Sequence, residues 1–229
     1  MTFIPPYDDE LVIAGQGTIA NEILRQWRDV DYVFVAVGGG GLIAGVAAYL
    51  GDVAPHVKVI PVEYDESACL KAALEANERV ILPSVGLFAD GTAVAQIGEK
   101  PFDVIRLQKS DNSGPIVEPN VVLVNTDEVC AAIKDTYDEC RSIVEPSGAM
   151  ALAGIKKYVA EHGIEGKNMV SIVCGANMNF DRLRYIAERT ELGERKEAIF
   201  AVTIPEQKGS FLSFCRCLLY TSPSPRDVE

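Results

Sequence analysis

Four consecutive glycines, Gly38-Gly39-Gly40-Gly41, followed by Leu42, are the residues best suited to chemistry in this sequence. They come directly after a Val-rich run, Tyr32–Val37, and directly before an apolar helical stretch, Leu42–Leu50. Residues without side chains leave room for a bulky oxyanion. Their N–H groups can converge into a concave nest, and the following helix adds the positive end of its dipole. Such a loop suits a phosphate monoester. The plainer alternative is a turn that only lets strand and helix pack closely. Which phosphate would bind is open at this point. Gly39-x-Gly41-x-x-Ala44 also satisfies the dinucleotide fingerprint of a nicotinamide-dependent oxidoreductase. In that reading Glu63 is the acid that holds a ribose hydroxyl, about 20 residues further on.

A second constellation, Cys174-Gly175-Ala176-Asn177, follows another apolar run, Met169–Val173. A small hydrogen-bonding side chain at a strand's carboxyl end can touch a ring nitrogen of a planar cofactor. It can equally be a buried small hydrophobe, the common fate of a free cysteine. No basic neighbour in sequence argues for a thiolate nucleophile. Glu145-Pro146-Ser147-Gly148-Ala149 places an acid before a proline at a helix start, which the helix dipole alone would favour. Gly15-Gln16-Gly17-Thr18 reads as a helix-entry turn or part of a substrate wall. Lys134, Lys156 and Lys157 read as solvated helix faces.

These residues need a scaffold, and the periodicity supplies one. Short Val- and Ile-rich runs at Tyr32–Val37, Val57–Val62, Val121–Asn125 and Met169–Val173 predict strands buried on both faces. Between and around them lie helix candidates at Thr18–Arg28, Leu42–Leu50, Ala68–Ala76, Ala93–Leu107, Asp127–Glu139, Ser147–Glu161 and about Asp181–Glu191. Pro101 should break or restart the fourth of these. Thr126 reads as the cap of the fifth, with Asp127 and Glu128 in its first turn. Lys109–Asn120 reads as a surface loop. Alternation of β and α with short connections predicts an α/β fold, a parallel sheet flanked by helices.

Composition narrows the function classes. Of the 229 residues 48% are hydrophobic, enough for a packed core, and no run is long and apolar enough for a membrane span. The net charge of −12 repels phosphate backbones, so nucleic acid is not an expected partner. The six cysteines form no C-x-x-C pair, and neither His56 nor His162 stands at metal spacing from them. Free thiols are expected, and no metal.

Six blocks carry a family resemblance. VIAGQGTIANEIL (Val12–Leu24), VAVGGGGLIAGVA (Val35–Ala47), PVEYDESACLKAAL (Pro61–Leu74), VGLFADGTAV (Val85–Val94), IVEPSGAMALAGIKKY (Ile143–Tyr158) and CGANMNFDRLRYIAERTELGE (Cys174–Glu194) resemble, in order, the biosynthetic threonine dehydratases. The resemblance covers about Ile4 to Arg216. It implies the pyridoxal 5′-phosphate fold shared with serine racemase, cysteine synthase and the tryptophan synthase β chain. It also implies that Gly38, Gly39, Gly40, Gly41 and Leu42 hold the cofactor phosphate and that Cys174 faces the pyridine nitrogen. The implied reaction is deamination of L-threonine, or of L-serine, to 2-oxobutanoate and ammonia in the threonine case, on the route to isoleucine. Isoleucine feedback and a tetramer are implied for the full-length family. Glu63 falls where some relatives bind a cation. A serine racemase or serine dehydratase is the alternative within the fold.

The sequence also departs from that pattern. The cofactor-anchoring lysine of the family belongs to an S-F-K-x-R-G-type segment, and no lysine here stands in that context. Residues 1–194 are therefore expected to be part of a catalytic domain, with Met1 an internal methionine. Residues 195–216 are expected to open an ACT-like regulatory domain, with a strand at Ala198–Ile204 and a helix starting at Phe211. The segment Cys217–Asp227, CLLYTSPSPRD, resembles the translation of a sequencing-library adapter, so 217–229 is set apart from the fold.

Overall fold

A computed structural model of the chain describes residues 3–107, 109–110, 114–193 and 202–221. Its elements run α1 (Glu10–Gln26), β1 (Tyr32–Ala36), α2 (Gly41–Val53), β2 (Lys58–Tyr64), α3 (Cys69–Ala76), α4 (Glu99–Leu107), β3 (Lys109–Ser110), β4 (Gly114–Pro115), β5 (Val122–Val124), α5 (Thr126–Cys140), α6 (Pro146–His162), β6 (Met169–Ser171), α7 (Arg182–Gly193) and α8 (Ser210–Thr221). Two compact units separate at Lys196/Glu197. In the second, the described residues hold α8. The expected strand Ala198–Ile204 lies partly outside the described residues, and its described part, 202–204, has no regular structure. The helix begins at Ser210, as expected near Phe211, and continues through Cys217 to Thr221; the rest of the adapter-like segment lies outside the described residues.

The four main strands form one parallel sheet in the order β5-β2-β1-β6. Alternation along β1 explains why this sheet is covered on both sides. Val33, Val35 and Val37 face one core with Ile43, Val46, Leu50 and Leu70, whereas Phe34 and Ala36 face the other with Val129, Ile133, Ala149 and Met150. Helices α1 to α4 therefore cover one face, and α5 and α6 the other. Strands β1 and β2 are buried throughout apart from their first residues, and β6 is half-buried.

Local chemistry moved several element boundaries from their sequence expectation. Helix α1 begins eight residues before Thr18, because Asp9 caps it by accepting from the N–H groups of Leu11 (2.9 Å) and Val12 (3.2 Å). Gly15-Gln16-Gly17 thus lies inside a helix and is not an entry turn. A Cβ on Gly17 would sit 3.1 Å from the Gly45 carbonyl of α2, so Gly17 and Gly45 form a notch where two helices cross closely. Helix α4 starts at Glu99, not Ala93. Its cap is the Asp8 carboxylate, which accepts from Glu99 N–H (3.1 Å) and Lys100 N–H (2.9 Å), and Pro101 occupies the first turn, where a missing N–H costs nothing. The expected loop Lys109–Asn120 contains the antiparallel pair β3–β4 and buries Ile116 and Val117, which bond to β2 at Val59.

The cap of α5 is Asn125 and not Thr126. Its side chain accepts from Glu128 N–H (3.0 Å) while the Glu128 carboxylate accepts from Asn125 N–H (2.8 Å), a reciprocal capping box. Thr126 instead meets the hydroxyl of Tyr64 at 2.7 Å. Replacing Asn125 by Ala removes one half of the box, and urea denaturation should read a loss of about 1 kcal/mol.

Glu63 is fully buried in β2. Its two carboxylate oxygens accept from the N–H groups of Leu70 (2.7 Å) and Lys71 (2.9 Å), in the first turn of α3. Burial pushes its pKa up from 4.5 to about 7, against the two backbone donors, which pull it down. The folded chain therefore keeps a proton that the unfolded chain has released. Stability attributable to this group is greatest below pH 4.5 and falls as pH rises to about 7, by roughly 3 kcal/mol in all. Chemical denaturation across that window should show this decline in the parent relative to Glu63→Gln, whose amide cannot titrate.

Candidate functional site

The carboxyl ends of β1 and β6 meet at a switch in strand order. From β1 the chain crosses by α2 to β2 on one side, while β6 pairs with β1 on the other. In open parallel sheets the crevice at such a point collects ligands. The register Phe34↔Ser171 is continued by the Ile172 N–H bond to Phe34 O (3.2 Å), so the segment that carries Cys174 leaves the sheet at the same edge as the bend that follows β1. The two sequence-predicted constellations thus follow the carboxyl ends of neighbouring parallel strands.

The glycine bend is buried, and its carbonyls are all engaged. Gly38 O accepts from the Cys69 thiol (3.3 Å), Gly39 O from Gly98 N–H (3.0 Å) and Gly40 O from Ala44 N–H (3.0 Å). No peptide of the described residues is cis. In a trans peptide the N–H points opposite to the carbonyl that precedes it. The N–H groups of Gly39, Gly40 and Gly41 are consequently turned away from Cys69, Gly98 and the body of α2. Helix α2 has no side-chain cap, so its first-turn N–H groups add to the set. Gly40, at φ +91°, takes a left-handed conformation that turns the chain into the helix.

The plainer reading of the glycines holds: their backbone is closely packed. A Cβ on Gly39 would lie 2.2 Å from the ring of Tyr7, and one on Gly38 would lie 2.9 Å from Thr92 Cα. The dinucleotide reading fails at Glu63. Glu63 is fully buried and bonded to the first turn of α3, out of reach of a ribose hydroxyl. Glu63 is thus neither a surface acid nor a ligand-facing one.

Cys174 stands at the exposed edge, on a loop held by Glu145. Glu145 N–H donates to Gly175 O (3.1 Å), and the Glu145 carboxylate accepts from Asn177 N–H (3.0 Å). The acid before Pro146 is therefore no side-chain cap of α6; it clamps the loop after β6. Acid-Pro at a helix start carries no signal that separates the two roles. A Cβ on Gly148 would lie 1.7 Å from Cys174 O, so only glycine lets the loop settle on α6. Partial burial of the thiol, and then the Glu145 charge, push the Cys174 pKa up, which keeps the group neutral.

A contact that the sequence does not reveal joins the elements of this edge. Buried Thr92 lies against Gly38 and places its hydroxyl 3.3 Å from that of Ser147, at the start of α6. This contact joins the glycine bend to the helix under Cys174. The lysines expected on solvated faces are there, in ion pairs with carboxylates: Lys157 with Glu128 (3.1 Å), Lys134 with Asp138 (3.3 Å) and Lys156 with Asp135. Among the described residues no group of three or more His, Cys, Asp or Glu is placed to hold a metal ion.

Comparison with known proteins agrees with this geometry. The chain is 56% identical over 218 residues to the biosynthetic L-threonine dehydratase IlvA of Haemophilus influenzae, covering 95% of this chain and 41% of that protein. It is 53% identical to the mitochondrial threonine dehydratase of Saccharomyces cerevisiae, over 92% of this chain and 36% of that one. The chain thus spans about two fifths of the length of such curated relatives. Among solved structures, the processed form of threonine deaminase isoform 2 from Solanum lycopersicum superposes with a TM-score of 0.77 at 45% identity, covering 84% of this chain and 50% of that one. The family model described as pyridoxal-phosphate dependent enzyme matches residues 1–175. By that match the chain belongs to the pyridoxal-phosphate dependent enzymes.

Proposed function

We propose that this chain is the cofactor-holding part of a threonine dehydratase, with Gly38, Gly39, Gly40, Gly41 and Leu42 on the phosphate and Cys174 facing the ring nitrogen. One observation carries the reading. The carbonyls of Gly38, Gly39 and Gly40 are all engaged, which turns the N–H groups that follow them away from those partners, and the bend and Cys174 follow the carboxyl ends of adjacent parallel strands. Those residues fit the group. A phosphate needs several convergent donors and no intruding side chain, and a helix start adds favourable dipole. A neutral thiol at the ring nitrogen supplies a hydrogen-bonding partner that does not fix a positive charge there.

When bound, the cofactor supplies an aromatic ring that withdraws electrons from the substrate Cα and so favours loss of the β-hydroxyl. The residues of this chain do the positioning. The bend would hold the phosphate of the cofactor and Cys174 would meet its ring nitrogen, while Glu145 keeps the Cys174 loop in place. L-Threonine as the substrate is supported by the relatives at 53 to 56% identity, which are named threonine dehydratases. The products would be 2-oxobutanoate and ammonia. On the same reading residues 1–194 belong to the catalytic domain and 195–216 open a regulatory one, with isoleucine as effector and a tetramer as the full-length assembly.

A chimera tests the assignment. The 218 matching residues of the Haemophilus influenzae relative are replaced by those of this chain, so that the relative supplies the anchoring lysine. The chimera should form 2-oxobutanoate from L-threonine within about tenfold of the parent rate, a barrier difference of about 1.4 kcal/mol. A folded chimera that takes up pyridoxal phosphate but leaves threonine untouched would overturn the substrate. One that folds and takes up no cofactor would overturn the bend.

A further inference from the structure

Cys69 is the first residue of α3, fully buried, and far in sequence from the site. Its position is set by Glu63, which holds the N–H groups of the next two residues, Leu70 and Lys71, from the neighbouring strand. From there its thiol reaches the Gly38 carbonyl at 3.3 Å. Burial, and then the nearby Glu63 carboxyl, push the Cys69 pKa up to about 12, so the sulfur keeps its hydrogen and remains a donor. A thiol of this kind is inert as a nucleophile. Its one polar contact with the site is with the peptide that carries Gly39 N–H on its opposite side.

We propose that Cys69 is a positioning residue for phosphate binding: by holding the Gly38 carbonyl it aims Gly39 N–H into the anion-binding bend. The inference rests on the reading of that bend as the phosphate cradle. The Gly38–Gly39 peptide has no regular secondary structure to fix its plane, and a glycine on each side gives it unusual rotational freedom. Without a partner for its carbonyl, the peptide can rotate and withdraw a donor from the ligand. The neighbouring peptides are held differently, by Gly98 from the segment before α4 and by Ala44 within α2. Cys69 is the side-chain contribution to this set.

The test uses the 229-residue chain with Cys69→Ala, which removes the donor, and Cys69→Ser, which keeps one. The probes are pyridoxal 5′-phosphate and pyridoxal, followed by phosphorus NMR for the first and ring fluorescence for both. The parent should prefer the phosphorylated probe. Cys69→Ala should lose roughly fivefold in affinity for it, the size expected of one hydrogen bond, with pyridoxal binding unchanged. Cys69→Ser should recover most of the loss. The amide nitrogen shift of Gly39, which shares a peptide with the Gly38 carbonyl, should move in the Ala variant and return in the Ser variant, whether or not ligand is present. A Cys69→Ala chain with parental preference for the phosphorylated probe, or an unmoved Gly39 resonance, overturns the role of Cys69 and leaves the cradle standing. A parent with no preference between the probes overturns the cradle, and the proposal with it.

Discussion

A trans peptide cannot turn its carbonyl inward without turning its N–H outward, and this constraint governs the site. Three successive carbonyls, those of Gly38, Gly39 and Gly40, are drawn into the protein by Cys69, Gly98 and Ala44. The outward donors follow from that alone. Backbone donors need no side-chain charge, so such a bend is compatible with a chain of net charge −12. The sheet contributes the second condition. Because β6 lies beside β1 and parallel to it, the loop bearing Cys174 and the glycine bend leave the same edge of the sheet.

Much of this was legible in the sequence, for definable reasons. Strands β1 and β2 carry apolar residues on both faces, so their Val- and Ile-rich runs stand out. The glycine run announces itself by composition, and helix α6 by its Ala-rich stretch after Pro146. What escaped depends on residues far apart in the chain. The start of α4 is set by Asp8, which no local window contains. Half of α1 was hidden by Gly15 and Gly17, which read as breakers; the crossing of a second helix at Gly45 explains Gly17. Glu63 and Glu145 look like ordinary acids at element ends. Their real partners, backbone donors of α3 and of the loop after β6, are defined only once the chain is folded.

The two carboxylates illustrate how the fold uses charge sparingly. Glu63 is buried with both oxygens occupied, at a cost in desolvation that raises its pKa. Glu145 stands at the site itself, and its charge helps keep Cys174 protonated. One acid orders the helix behind the bend, and the other orders the loop opposite it. Both acids thus serve as acceptors for backbone N–H groups of a neighbouring segment.

The segment from α3 to α4 leaves the bend at Cys69 and returns to it at Gly98, so it behaves as a clasp fastened at both ends. Along the way it is pinned again: Gly86 to Glu66 and Ser67, Leu82 to Ala95, and Arg79 to Ile97. Between the anchors at Leu82 and Gly86, Pro83 and Ser84 are exposed and bond to nothing among the described residues. Extra residues could be threaded into the chain there without slackening either fastening. The same insertion beside Gly98 would lengthen the strap itself and let the glycines swing free.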